Sequence, residues 1–379
     1  MPRTWAIQEA LVKSLVRPQP GVRIVSEIDT PGAVDADWLV RPVTQPVELQ
    51  VQVRRDRMSA RMALTNGLVA REFLLTENLA CISMRRLSNG AEFVRAVKPE
   101  ARLRIDGKWH KIGGLEGQPE RAYLLDEWLP NLKADSAAFR FAGMKVAPPI
   151  ERYPWSPKFN AVPTPWPPKG LRVSFAFESP ARSRNRYRNL HVEVHYELYE
   201  GLPVFAKWLT MLNATRQPVV IDEFEGEHLA VAQDQVSRLH VESDYSFAAV
   251  NFHRRDSALL SPEGIALLDK IGWGGGTTQW LTDPEYNTWA THNPAEDLFL
   301  NDPHYCLLVS RPPSGPTEQL DPKGRFASFI TFELLQDSDD RERQTLGHRR
   351  FYRTLAPQVS ENRNPLVTRG RKFRGFSFF

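Results

Sequence analysis

Apolar and polar residues alternate with period two along much of the chain. Val47-Glu48-Leu49-Gln50-Val51-Gln52-Val53 carries an apolar side chain at every second position, and in an extended backbone successive side chains leave opposite faces. Arg102 to Ile105 and Leu171 to Phe177 repeat the pattern, so each predicts a strand with one buried and one wet face. The longest signal, Leu190 to Tyr199, is followed by Glu200-Gly201-Leu202-Pro203 and a second apolar run, Val204 to Leu212. This predicts an antiparallel hairpin closed by a four-residue turn. Helical periodicity is scarce: Trp5 to Leu15 predicts a short amphipathic helix and Pro262 to Leu268 a turn of another. Thirty prolines and 22 glycines punctuate the rest at short intervals. Many strands, few short helices and regular turn signals predict an all-β fold, a sandwich or barrel. No internal repeat of about 20–50 residues is present, which argues against a propeller.

Residues 1–45, spaced by Pro18, Pro20, Pro31 and Pro42, read as an entry segment. Residues 46–336 carry nearly all the strand signal and read as one large β domain, and 337–379 as a connector and basic tail. Pro148 to Lys169 reads as an ordered surface loop, because Trp155 and Trp166 need something to pack on. The 379 residues are 41% hydrophobic and 25% charged, the profile of a soluble globular protein. No apolar run approaches the ~20 residues of a membrane-spanning helix, so no membrane association is expected. Met1 to Pro20 lacks the apolar core of a secretion signal, which puts the chain in the cytoplasm by default. Cys81 and Cys306 sit among apolar neighbours and predict two buried thiols, not a disulfide framework.

The formal charge of +4 comes from 49 Lys and Arg against 45 Asp and Glu. Nine Arg and Lys372 against Glu342 and Glu361 give residues 341–379 a net +8, which leaves 4 − 8 = −4 for the body. A like-charged tail is usually solvated. The aromatic residues lie mostly in the acidic body and the arginines in the tail, so stacking and charge are not interleaved as nucleic acid would require.

Two stretches offer chemistry. His191, Glu193, His195 and Glu197 are spaced by two and leave one face of a strand, while Val192, Val194, Tyr196 and Leu198 point the other way into a core. Alternating imidazoles and carboxylates supply both donors and acceptors for sugar hydroxyls. A metal is less well served, because ligands along one strand diverge, and a solvated outer face is the plain alternative. Between Gly272 and Tyr305, Trp273, Trp280, Tyr286 and Trp289 alternate with Asp283, Glu285, His292, Asp302 and His304. Flat rings beside a few polar groups suit a pyranose; a long loop packed on the sandwich would look the same. Gly274-Gly275-Gly276 lacks the Lys-Ser/Thr of a phosphate loop, and neither a G-x-S-x-G elbow nor H-E-x-x-H occurs. No cofactor and no metal are expected.

Asn66-Gly67-Leu68-Val69-Ala70-Arg71-Glu72-Phe73 resembles the N-G-L-x-x-R-x-F opening strand of bacterial α-galactosidase-like proteins. Pro99-Glu100-Ala101, Ile105-Asp106-Gly107, Gly113 to Pro119, Tyr196 to Pro203, Lys207-Trp208 and Asn213 follow in the order of that group. The resemblance spans about residues 60–360 and implies an N-terminal β-supersandwich of the galactose mutarotase-like type. His348 to Gln358 resembles the connector that leads from such a sandwich into a (β/α)₈ barrel. In family 36-type glycoside hydrolases the barrel supplies the carboxylate pair that cleaves the glycosidic bond. A barrel needs about 250 residues, so none is expected here and no catalytic carboxylate is carried over. The expectation is a carbohydrate-binding sandwich, with galactosides among its ligands, that is not hydrolytic alone. Its contacts would be Trp273, Trp280, Tyr286, Trp289, His292, Asp302, His304, His195 and Glu197. The alternative is a sugar epimerase, mutarotase or polysaccharide lyase working within the sandwich, with His195, His292, His304 and Glu197 as candidate acids and bases.

Overall fold

The longest strand signal does form the predicted hairpin: Leu190–Tyr199 pairs antiparallel with Leu202–Asn213. In the computed structural model, which describes residues 19–31, 37–41, 43–54, 59–119, 122–153, 165–180, 187–245, 277–287 and 305–355, the turn is tighter than predicted. Glu200 and Gly201 alone close it, and Leu202 and Pro203 already belong to the second strand. Gly201 has φ +65°, and a Cβ there would lie 2.7 Å from the Val43 carbonyl oxygen, so only glycine fits.

This hairpin is the centre of a seven-stranded sheet. Gly170–Glu178 and Arg140–Ala147 extend it on one side, Thr331–Leu335 and Leu239–Ser243 on the other, and Arg325–Ala327 pairs further along Leu202–Asn213. A six-stranded sheet runs through Val22–Ile24, Glu48–Arg54, Ser59–Thr65, Val69–Leu75, Leu79–Arg86 and Ala91–Glu92. Two four-stranded sheets complete the described fold. One joins Pro316–Leu320, Val219–Glu225, Ala101–Ile105 and Lys108–Ile112; the other joins Thr278–Thr282, Tyr305–Ser310, Glu227–Val231 and Val94–Ala96. Among the described residues all pairings within the sheets are antiparallel except Val22–Ile24 with Glu48–Arg54. The fold is all-β and antiparallel.

The two large sheets pack face to face. Val192, Val194, Tyr196 and Leu198 are fully buried, as the alternation predicts, in one cluster with Leu49, Met62 and Phe73 of the facing sheet. The Phe73 ring meets Phe175 at 4.8 Å and Tyr196 at 5.0 Å, both edge-on, the arrangement that aromatic quadrupoles favour. Cys81 and Cys306 are free, buried thiols, as expected.

The C-terminal region departs from the expectation of a solvated tail: Arg341–Leu355 is a 15-residue helix. Asp340 caps it, its Oδ1 accepting the Arg343 N–H at 2.8 Å. Gly347, Phe351 and Leu355 recur at i, i+4 and i+8 and are the helix's buried residues. Phe351 and Leu355 pack with Trp38, Val204, Ala206, Ile330, Phe332 and Leu334. Arg343 binds both Asp37, at 2.8 Å, and Asp337, at 2.9 Å, and Trp38 Nε1 donates to Asp337 at 3.0 Å. Part of the entry segment and part of the connector therefore belong to the packed structure. Among the described residues no helix is long and apolar enough to cross a membrane. The helices expected at Trp5 to Leu15 and Pro262 to Leu268 lie outside the described residues.

Candidate functional site

Strand register brings the His191–Glu197 face together with its neighbours. Ser174, His195 and Trp208 form one row across three adjacent strands, and Ala176, Glu193 and Thr210 form the next. Glu178, His191, Leu212 and Arg325 form the row after that. All of these side chains lie on the face turned away from the core, and the helix Arg341–Leu355 covers only part of that face, over Val204, Ala206, Phe332 and Leu334. Beside it the face stays open as a groove of about 740 Å³, lined among others by Lys145, Arg172, His191, Glu193, His195, Trp208 and Thr210.

His195 is held on every side at the floor of this groove. Nδ1 is 2.7 Å from Ser174 Oγ, Nε2 is 2.9 Å from Thr210 Oγ1, and the ring stacks on Trp208 at 4.8 Å. Burial pushes its pKa down to about 4, against the pull of Glu193, whose Oε2 is 3.9 Å away. The imidazole is therefore neutral at physiological pH, one nitrogen donating and the other accepting. Toward the rim, Lys145 meets Glu193 at 3.5 Å and His191 meets Glu178 at 3.7 Å. The Arg172 side chain also lines the groove, with its Nε–H buried and without a hydrogen-bond partner among the described residues.

Glu197 lies on the same face but is 1% exposed. Its Oε1 accepts the Ile150 N–H at 2.6 Å and its Oε2 the Tyr199 hydroxyl at 2.8 Å, and burial pushes its carboxyl above the usual carboxylate range. The face is graded, from half-exposed at His191 and Glu193 to sealed at Glu197. Trp280, in Thr278–Thr282, is 5% exposed and packed in the main core. Tyr286 falls in the one-turn helix Pro284–Asn287. Trp273, Trp289, His292, Asp302 and His304 lie outside the described residues. Of the polar residues in the same stretch, Asp283 is buried against Arg95 at 2.6 Å and Lys98 at 3.1 Å.

The residues that carried the family resemblance are at work elsewhere. The Asn66 side chain donates to the carbonyls of Tyr199 and Leu202, at 2.7 and 2.8 Å, and holds the central hairpin turn. Arg71, fully buried between the sheets, donates to Glu333 at 2.7 Å and Glu227 at 3.1 Å. Lys207 binds Glu227 at 2.8 Å and the Glu100 carbonyl at 2.6 Å, and Tyr196 donates to Glu100. Burial alone would raise the Glu227 carboxyl, but Lys207 and Arg71 outweigh it and hold it well below the usual range. Burial drives Glu333 the other way, well up, beyond what Arg71 offsets, and the neighbouring Glu227 adds to the rise. The Glu333 Oε1 is buried and no donor faces it. This cluster ties three sheets together, with its charged side chains almost wholly buried.

The sequence singles out His191, Glu193 and His195, which line the groove, but not Trp208, Thr210, Arg172 and Lys145 beside them, nor Ser174, which holds His195. Ser174 and Arg172 alternate with Val173, Phe175 and Phe177 in a strand whose existence the sequence does predict. The signal was their wet-face parity, which says nothing of which strands stand side by side.

No protein-family model matches the chain, and no curated protein does. Among solved structures the chain is similar to a galactose mutarotase-like protein from Clostridium acetobutylicum, at 9% identity over 76% of this chain and 98% of that one, with TM-score 0.36. It is also similar to a candidate aldose 1-epimerase from Klebsiella pneumoniae, at 10% identity over 83% of this chain and 88% of that one, with TM-score 0.38.

Proposed function

We propose that this chain binds carbohydrate in the groove on the outer face of the seven-stranded sheet. The observation that carries the reading is a single concavity of sugar-sized volume that combines a Trp208–His195 ring stack with both donors and acceptors. Sugar sites pair apolar surface for C–H faces with a few fixed polar groups for hydroxyls. Here His191, Glu193 and Lys145 supply the polar groups along the open side. The groove mixes Lys145 and Arg325 with Glu178 and Glu193, so neutral polyols fit it better than a strongly charged ligand. The sequence likeness to α-galactosidase-like proteins makes galactosides the first ligands to try.

Titration calorimetry of the full chain with galactosides and glucosides tests the reading. Expected is a millimolar or tighter ligand whose affinity falls at least tenfold in Glu193→Ala and His191→Ala. No heat from any sugar at millimolar concentration, or binding indifferent to both changes, would refute it.

A second reading, an epimerase, mutarotase or lyase acting in the same groove, draws on one observation: imidazoles and carboxylates face each other there, at 3.7 Å for His191 and Glu178 and 3.9 Å for His195 and Glu193. Acid–base chemistry at a sugar carbon needs such a pair. Polarimetry of freshly dissolved aldoses, and absorbance of unsaturated products for a lyase, separate turnover from binding alone.

A further inference from the structure

Among the described residues the strand Leu239–Ser243 is one of the two edges of the seven-stranded sheet. Its alternation buries Leu239 and Val241 and turns His240 and Glu242 to the outer face, where the helix Arg341–Leu355 crosses. From that helix, His348 and Tyr352 sit one turn apart and reach down to the same carboxylate. His240 Nε2 and His348 Nε2 each lie 2.6 Å from Glu242 Oε1, and the Tyr352 hydroxyl donates to Oε2 at 2.5 Å. The two imidazole rings are 4.4 Å apart at 63°. One ligand atom from each of His240, Glu242 and His348 lies within 4.8 Å of the others.

We propose that His240, Glu242 and His348 form a binding site for a divalent first-row transition metal, of the zinc or nickel type, which clips the C-terminal helix to the edge of the sheet. Two imidazole nitrogens and one carboxylate oxygen are the donor set such ions prefer, whereas magnesium and calcium ask for oxygen alone. Zinc sites with three protein ligands keep a fourth position for water. That position is open here, since the side chains of His240, Glu242 and His348 keep 34%, 18% and 33% of their exposure. Metal–ligand bonds of about 2.0–2.1 Å in a tetrahedron set ligand atoms roughly 3.3 Å apart. The present 2.6 Å separations must therefore open by less than about 1 Å, which half-exposed rings can do by small rotations. In the metal-free arrangement Glu242 Oε1 accepts from the imidazoles. On binding, each ring moves its remaining proton to Nδ1 and gives its Nε2 lone pair to the ion, and any proton a charged ring carried goes to solvent. Tyr352 keeps Oε2 and orients the carboxylate, the supporting contact metal ligands require.

The test is calorimetric titration of chelator-treated full chain with Zn²⁺ alone, followed by thermal denaturation and by cobalt substitution. Expected are one equivalent bound per chain, a rise in melting temperature, and a cobalt spectrum of tetrahedral nitrogen–oxygen ligation. His348→Ala and His240→Asn should each lower the affinity at least tenfold. His191→Ala, in the groove, should leave it unchanged. Should His348→Ala fail to fold, His240→Asn decides the matter with the wild-type cobalt spectrum. No uptake at 100 μM zinc would overturn the proposal, and so would uptake that survives both His240→Asn and His348→Ala.

Discussion

Glu227 and Glu333 are a pair of carboxyls in one buried cluster, facing the same Arg71, yet their pKa values are pushed in opposite directions. Like charges at such range cannot both ionise cheaply, and Lys207 decides which one does by standing 2.8 Å from Glu227. The two amide substitutions therefore differ in effect. Gln at 333 can accept from Arg71 with its oxygen and donate to Glu227 with its nitrogen, so Glu333→Gln should cost no more than about 1 kcal/mol. Glu227→Gln removes the anion between two buried cations and should cost about 3–5 kcal/mol. Urea unfolding of both variants checks the assignment, and equal costs would contradict it. His195 offers a second test at this scale. Its folded pKa of about 4 lies below its ordinary value, so between those values the unfolded chain binds the extra proton. Stability is fully present above about pH 6.5 and falls as the pH drops toward 4, by on the order of 2–3 kcal/mol. His195→Asn should remove that component, seen as a shallower loss of urea stability between pH 7 and pH 4 than in the wild type.

At the scale of elements, legibility followed periodicity. The strands at 48–54, 101–105, 170–178 and 190–199 were readable because each alternates an apolar core face with a face of mostly polar residues. The turn was misjudged by its Pro203. A proline ordinarily leaves a strand, but here it enters one immediately after the tight turn at Gly201, where the register shifts at Tyr199. The C-terminal helix was hidden by its charge: five arginines and Glu342 between Arg341 and Leu355 give 5 − 1 = +4, the look of a tail. Its true signals were sparse, the Asp340 cap and the 347, 351, 355 stripe. Three contacts at one helical face are enough when the partner surface is already built, since tertiary packing supplies most helical stability. Phe351, 4% exposed, should then behave as a core residue of the sandwich. Phe351→Ala is expected to cost about 3–5 kcal/mol in urea unfolding, whereas a truly solvated tail would lose nothing measurable.

For the molecule as a whole, the helix changes what the net charge means. Half of the +8 counted from Arg341 onward sits on an ordered, sheet-bound element, with Arg343 between two aspartates and Arg350 over the Trp38 ring at 5.6 Å. The candidate site was legible only in part for a related reason. His191 and Glu193 announce a wet face by themselves, but the groove arises from strands at 140–147, 170–178, 202–213 and 325–327 standing beside them, and pairing over such distances leaves no local trace. The motif residues Asn66, Arg71 and Lys207, most visible in the sequence, are buried and hold strands and sheets together. The same helix divides the outer face, because it seals the apolar half and leaves the polar half open. A chain ending at Asp340 would uncover Trp38, Val204, Ile330, Phe332 and Leu334 together. Contiguous apolar surface of that kind drives association. The truncated chain should scatter more light than the full chain at equal concentration and unfold at lower urea. If instead it kept the full chain's size and stability, the sandwich would be complete without the helix, and the division of the outer face into a sealed half and a sugar groove would lose its physical basis.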